Sequence, residues 1–366
     1  MAIAKVEALR VDWGRHRSAW IRVSDDEGRV GLGEASPMGE GRASLEIVAS
    51  LLAPMLIGAD PLGQAVLQER MYHRHIKVGP DGALAAALAA VDIALWDLKG
   101  KALGQPIHRL LGGAWRHRLP FYASIGGNAG RSPDDTCRIV ERWLPLRPAL
   151  VKIRLDADRT ARDQDVPGDI ARIRAVRRLL GDDFPLAFDA NNNYSVQAAI
   201  RVGRVLEDLG CAWFEEPVQH YDLPSFEKVA RALDIAVAAG EQAYTLQEVH
   251  RLIDAGVDIL QPDIVKTGGF TGLTQMAAVA RAHGVDMVPH QTQPAIGHTA
   301  NLHFCAALPQ GHHPCEWADP SGVQDVVLRS PVCPEDGCFP LPDGPGLGLH
   351  LDAQALGRRT TPWASP

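Results

Sequence analysis

At 366 residues the chain is long enough for two domains, or for one large barrel with a smaller companion. Apolar residues make up 46% and charged residues 22% of it, which excludes a disordered tail or a disulfide-stapled miniprotein and allows a large buried core. The 44 acidic residues outnumber the 37 basic ones, for a net charge of −7. No basic surplus is left to meet a phosphate backbone or an anionic bilayer, so neither nucleic acid nor membrane is an expected partner.

Met1 to Lys5 lacks the basic region and apolar run of a secretory signal. The longest apolar stretch, Ala83 to Leu98, is interrupted by Asp92 and is too short to span a bilayer. The expected location is the cytoplasm. Six scattered cysteines show no zinc-site spacing and are expected to be mostly buried thiols, with only Cys333 and Cys338 placed to clip a loop.

In chain order, Ile3 to Val11 alternates like a strand, and Ser18 to Gly33 reads as two strands around the turn Asp25-Asp26-Glu27-Gly28. Helical periodicity follows in Leu45 to Ile57, in Pro61 to Tyr72 and most strongly in Gly82 to Leu103. Residues 1–118 therefore form an α+β module, strands first and helices after. From Leu119 short apolar strands alternate with amphipathic helices. The strands are Phe121–Ile125, Leu150–Leu155, Leu186–Ala190, Ala212–Val218, Ala236–Glu241, Ile259–Val265, Met287–Pro289 and Cys315–Ala318. Ser195 before one helical run, Thr245-Leu246-Gln247-Glu248 before another, and Gly210, Gly256 and Gly284 after their helices supply start and stop signals. Eight strand–helix units imply parallel pairing with right-handed crossovers, closing a (β/α) barrel over residues 119–322. The Pro- and Gly-rich tail, 323–366, is expected to return to the first module.

Reacting groups in such a barrel stand at the C-terminal ends of the strands. Here those ends carry Lys152 and Arg154, Asp189 and Asn191, Glu215 and Glu216, Glu241, Asp263, His290 and Glu316. Asp189, Glu215 and Glu241 follow one another at intervals of 26 residues on consecutive strands and should converge. Close carboxylates repel; a hard divalent cation relieves this, and an all-oxygen set favours Mg²⁺ over Zn²⁺. Glu215 and Glu216 point to opposite faces of a strand, so one of them faces the metal. Asn191 shares a face with Asp189 and reads as a substrate contact or a loop-capping amide.

Lys152 and Arg154 share a strand face, presented to the barrel interior, where unpaired cations are expensive. They either clamp an anionic substrate or neutralise the carboxylates. Arg keeps its proton, so a base on this strand is Lys152. His290 follows Asp263 by one strand. A carboxylate on one ring nitrogen orients the imidazole and makes the other a base near neutral pH. Glu316 donates to an oxyanion only if burial raises its pKa enough to keep it protonated; otherwise it forms an ion pair.

These residues, with the helix segment Ala89 to Gly100 and the closing Pro342 to Gly348, resemble the enolase superfamily and within it the mandelate racemase-like acid-sugar dehydratases, racemases and cycloisomerases. The resemblance implies an N-terminal capping domain over a (β/α)₇β barrel, Mg²⁺, and abstraction of the proton α to a carboxylate to give an enediolate. By analogy Asp189, Glu215 and Glu241 are metal ligands, Asp263 and His290 the dyad, and Glu316 a hydrogen-bonding partner of the enediolate.

Racemases of this group carry Lys-x-Lys on the second strand, and here the second position is Arg154. One His that removes the α-proton and then protonates a departing β-hydroxyl suffices for syn dehydration, so a dehydratase leads, with racemase, epimerase or lactone cycloisomerase as alternatives. A non-catalytic acid-sugar-binding barrel leaves the dyad unexplained. A zinc amidohydrolase needs His-x-His on the first barrel strand, which has no His. The resemblance also implies specificity loops from the cap. The candidates are Arg15, His16 and Arg17 between the first two strands, with His16 a possible second acid, and Tyr72 to Pro80 with its His and basic residues. The expected partners are an acid-sugar substrate and further copies of the chain.

Overall fold

The computed structural model describes residues 1–14, 17–309, 311–318, 328 and 332–363. The chain opens with strands β1 (Ile3–Asp12), β2 (Arg17–Asp25) and β3 (Val30–Ala35). Helices α1 (Arg42–Ile47) and α2 (Ala53–Leu56) flank a π stretch at Val48–Leu52. Pro54 offers no N–H to continue the four-residue ladder there, and a π turn is the usual accommodation of such a break. Helices α3 (Gln64–His75), α4 (Gly82–Leu103) and α5 (Ile107–Leu110) complete the first module.

Helix α4 lies directly on the hairpin. A Cβ at Gly33 would stand 1.8 Å from the carbonyl of Ala90, and one at Gly31 2.0 Å from that of Ala94. Only glycine admits this approach. The helix is apolar on nearly every side because it is buried against the hairpin, the other cap helices and the barrel.

The barrel strands are β4 (Arg118–Ile125), β5 (Leu150–Arg154), β6 (Leu186–Asp189), β7 (Phe214–Glu215), β8 (Val237–Ala239), β9 (Ile259–Leu260), β10 (Asp286–Met287) and β11 (Cys315–Trp317). The intervening helices are α6 (Pro133–Trp143), α7 (Val166–Leu180), α8 (Val196–Asp208), α9 (Leu223–Ala232), α10 (Leu246–Asp254), α11 (Gly269–His283) and α12 (Ile296–Ala307). All eight strands expected from the sequence are present, in the parallel order β10-β9-β8-β7-β6-β5-β4-β11. The hydrogen-bonded cores are shorter than the apolar runs, since the strand ends turn away toward the loops that carry the chemistry. Helix α10 has the full capping box, with the Thr245 hydroxyl on the Glu248 N–H and the Glu248 carboxylate on the Thr245 N–H.

Tyr122, Leu150, Ala187, Trp213, Ala238, Ile259 and Val288 fill the barrel interior as one apolar floor. Registers Arg154↔Asp189 and Asp189↔Glu215 put three of the expected site residues in one layer above it.

The C-terminal segment adds β12 (Cys338–Pro340), antiparallel to β4, then α13 (Ala353–Gly357) and β13 (Thr360–Pro362), antiparallel to β1. The buried carboxylate of Asp97 on α4 accepts the N–H groups of Leu32 and Leu347, joining cap strand and tail. No disulfide joins Cys333 and Cys338. No helix among the described residues is long and apolar enough to cross a membrane.

Candidate active site

Leu150 belongs to the apolar floor, so Lys152 and Arg154, two and four residues on, share its face. The fully buried Lys152 Nζ lies 2.7 Å from Glu215 Oε1, 3.0 Å from Glu316 Oε1 and 4.0 Å from Asp189 Oδ2. Burial alone would strip its proton, but Glu215, Glu316 and Asp189 outweigh burial and hold its pKa well above the usual lysine value. These partners favour the cationic form of Lys152.

Asp189, Glu215 and Glu241 all reach the barrel mouth and are buried. The backbone and side-chain amides of Asn191 donate to Asp189 at 2.7 and 3.2 Å. Glu215 Oε2 accepts from Trp213 Nε1 at 3.0 Å and Gln261 Nε2 at 2.7 Å. β7 ends at Glu215, and Glu216 adopts φ +40°. That kink turns Glu216 into a buried position, where its carboxylate accepts from Asn192 and Gln242. Burial, Glu241 and Glu215 push its pKa up to about 8. Burial likewise raises Asp189 well above the carboxylate range, with Glu215, Glu216 and Glu241 adding to the rise and Lys152 opposing it. Glu216, bonded to Asn192 and Gln242, thus adds a fourth negative group that couples to the trio of Asp189, Glu215 and Glu241.

The donor set is oxygen only, and burial first, then neighbouring carboxylates, raises the pKa values of Asp189 and Glu216, an arrangement of buried negative charge that a hard divalent cation would relieve. The residues fit Mg²⁺ by donor chemistry. The trio is not drawn together around a point as placed: among the described residues, only Asp286, His312 and His313 form a set of three such donors within 4.8 Å of one another. Glu215 turns to Lys152, and Glu241 Oε2 lies 2.9 Å from His290 Nε2.

His290 Nδ1 stands 2.8 Å from Asp263 Oδ2, the dyad read from the strand order. Burial lowers the imidazole pKa, but Glu241, Glu316 and the hydrogen bonds to Asp263 and Glu241 outweigh burial and raise it to about 10. A second carboxylate, Glu241, occupies the other ring nitrogen, beyond the single Asp263 neighbour expected from the sequence. Burial raises the Glu316 pKa, yet Lys152 and His290, with the Gln291 N–H at 2.9 Å, bring it down to about 2. Of the two readings open for Glu316, this direction favours the ion pair with Lys152 over a protonated oxyanion donor.

Arg154 is held above its usual pKa despite burial by Asp156, Asp189, Glu316 and Glu241, and its Nε lies 2.9 Å from Asp156 Oδ1. The Asn191 side chain is occupied locally, donating to Asp189 and accepting the Asp156 N–H at 2.8 Å. Arg17 pairs with Asp12 at 3.2 Å and with Glu40, so its guanidinium is committed within the cap. Arg15 and His16 lie outside the described residues. Tyr72 to His75, read as part of a loop, form the last turn of α3, and a 3₁₀ turn at Ile76–Val78 follows.

Two more groups belong to the site and were not singled out from the sequence. Lys266, three residues after Asp263, is buried with Nζ 3.1 Å from the Glu241 carbonyl and 3.9 Å from Asp263 Oδ2. Gln261 donates to Glu215. Both sit at or just beyond a strand end, the criterion that found the others, but neither type proclaims acid–base or metal chemistry by itself.

Residues 11–112 match the mandelate racemase / muconate lactonizing enzyme N-terminal domain, and residues 145–355 match the enolase C-terminal domain-like family. A mandelate racemase/muconate lactonizing protein from Paracoccus denitrificans PD1222, with a crystal structure complexed with magnesium, is 57% identical with a TM-score of 0.97, covering 99% of each chain. D-galactarolactone cycloisomerase of Agrobacterium fabrum is 32% identical, spanning 96% of this chain and 93% of that protein. Arabinonate dehydratase of Saccharolobus solfataricus is 30% identical, spanning 90% and 87%. With both domains matched in order and the acidic mouth and His–Asp dyad in place, the chain belongs to the mandelate racemase / muconate lactonizing enzyme family of the enolase superfamily.

Proposed function

We propose that the protein is a Mg²⁺-dependent lyase that removes the proton α to the carboxylate of an acid sugar and expels the β-hydroxyl, giving a 2-keto-3-deoxy acid. The observation that carries this reading is the asymmetry of the site. His290, oriented by Asp263 at 2.8 Å, is on one side, and the opposing strand offers only the cations Lys152 and Arg154. A single proton-transfer group suits removal and return of a proton on one face of the substrate. The arabinonate dehydratase similarity supports the same reaction class.

Asp189, Glu215 and Glu241 would hold the metal, with Glu216 beside them. Bound there, Mg²⁺ supplies Lewis-acid polarisation of the substrate carboxylate, which acidifies the α C–H. His290, once it has given up to solvent the proton it holds toward Glu241, takes the α-proton at Nε2, and the C–H electron pair moves into the enediolate. The imidazolium then protonates the β-hydroxyl, the C–O bond breaks, water departs, and the enol tautomerises to the 2-keto acid. Asp263 keeps the ring oriented, and the Lys152 ammonium and Arg154 guanidinium face the charge that grows on the carboxylate.

The D-galactarolactone cycloisomerase similarity favours a second reading, in which the same α-proton step opens or closes a lactone without net loss of water. Incubating the Mg²⁺-supplemented protein with a panel of aldonic and aldaric acids and their lactones separates the two. A 2-keto acid formed from an open-chain acid with loss of water establishes the dehydratase, and a product formed from a lactone without loss of water, and none from the open-chain acids, establishes the cycloisomerase. Neither product from any member of the panel overturns the reading.

A further inference from the structure

The barrel carries a second convergence of ligating side chains at the end opposite the dyad. Asp286 is the first residue of β10, and His312 and His313 lie just before β11. These strands stand at the two ends of the parallel order, and among the described residues no backbone ladder joins them. Side chains, rather than main-chain hydrogen bonds, tie the seam at this point.

His313 Nε2 is 2.9 Å and His312 Nε2 is 3.6 Å from the same oxygen, Asp286 Oδ2. The two imidazole centroids are 4.1 Å apart. One donor atom from each residue lies within 4.8 Å of the other two. Arg116 donates to the His313 carbonyl at 2.9 Å, and Trp213 packs edge-on to the His313 ring at 6.4 Å, so the backbone and ring of that residue are anchored from inside the barrel. The Asp286 and His312 side chains are 49% and 66% exposed, enough for a cation to enter and for water to complete its coordination.

We propose that Asp286, His312 and His313 form a site for a borderline divalent cation of the Zn²⁺ type, stapling the β10–β11 seam. Two imidazole nitrogens and one carboxylate oxygen suit Zn²⁺, Co²⁺ or Ni²⁺, whereas Mg²⁺ prefers oxygen ligands. The site is therefore chemically distinct from the all-oxygen carboxylate cluster at the other end. A cation here bridges two strands that lack a ladder, so its binding raises the stability of the closed barrel.

The test is calorimetric titration of the full chain, free of any affinity tag, with ZnCl₂ in excess Mg²⁺, alongside thermal unfolding. Wild type should bind a Zn²⁺ equivalent that Asp286→Asn and His312→Ala each weaken at least about tenfold, a loss that even outer partners of a metal cause. Zn²⁺ should raise Tm in wild type and not in the variants. An equivalent that both variants retain at wild-type affinity belongs to the catalytic carboxylates and overturns the proposal, as does the absence of any Zn²⁺ binding. Should Asp286→Asn fail to fold, the exposed His312→Ala decides the matter alone.

Discussion

Glu34, on cap strand β3, accepts the backbone N–H of Gly297 in the first turn of barrel helix α12 at 2.9 Å, across 263 residues of sequence. Asp92 on cap helix α4 does the same for α11, accepting the Thr271 N–H at 3.0 Å and its hydroxyl at 2.6 Å. Neither α11 nor α12 has a side-chain cap of its own. The helices that follow the strands bearing Asp263 and His290 are thus capped by carboxylates from the other module. An anionic group at a helix N-terminus is favoured by the unpaired N–H groups and by the helix dipole.

Glu34→Ala leaves the Gly297 N–H without its partner in a dry interface and should cost about 1–3 kcal/mol of stability, the usual penalty for an orphaned buried donor. Glu34→Gln retains an acceptor oxygen and should cost less. Urea unfolding of the two variants measures the difference; equal losses would show that the Gly297 contact is not what Glu34 supplies.

Both caps also set a pH dependence. Burial, opposed by these hydrogen bonds, pushes Glu34 and Asp92 each up to about 7. Their values are higher folded than unfolded, so the native state binds more protons between about pH 4 and pH 7. This contribution to stability is present at about pH 4, declines as pH rises to about 7 and is flat above that. Its total is on the order of a few kcal/mol. Unfolding midpoints measured across this range should show the decline, and the double variant Glu34→Gln, Asp92→Asn should reduce it. A double variant with an unchanged slope would assign the decline to other groups.

Chelation should abolish turnover, and Mg²⁺ should restore it, if Asp189, Glu215 and Glu241 hold the cation as proposed. Glu216 tests the assignment more finely. Glu215→Gln should weaken Mg²⁺ by more than about tenfold, with Glu216→Gln weakening it less, as a neighbour and not a ligand does. Mg²⁺ titration of activity ranks the two, and the reverse order would make Glu216 the ligand.

His290→Asn should lower kcat by at least about 10³-fold, within the range that a positioned acid–base group supplies. It should also stop washout of the substrate α-proton into D₂O. If the variant still exchanges at close to the wild-type rate, Lys152 is the base and the one-face dehydration is wrong, whatever the product.

The strand and helix series, the order of the carboxylates and the Asp263–His290 pair were legible in the sequence because each depends on local periodicity and on one rule, that parallel strands deliver their C-terminal residues to a common mouth. Helix α4 spans Gly82–Leu103 as its apolar pattern required, and its breadth of burial follows from having no polar face. What tertiary structure alone decided was charge state and alliance. The pKa of Glu316 is brought down and that of His290 raised because each feels several charges brought together from different strands, and a pKa is a sum over neighbours that are distant in sequence. Glu216 is buried against Asn192 and Gln242, from two neighbouring strand ends, a contact that no local pattern foresees. Glu34 and Asp92 read as ordinary cap residues until the two modules dock. Only then do their carboxylates become the first partners of helices 263 and 179 residues away, because a buried helix end takes its cap from whichever polar group the packing brings to it.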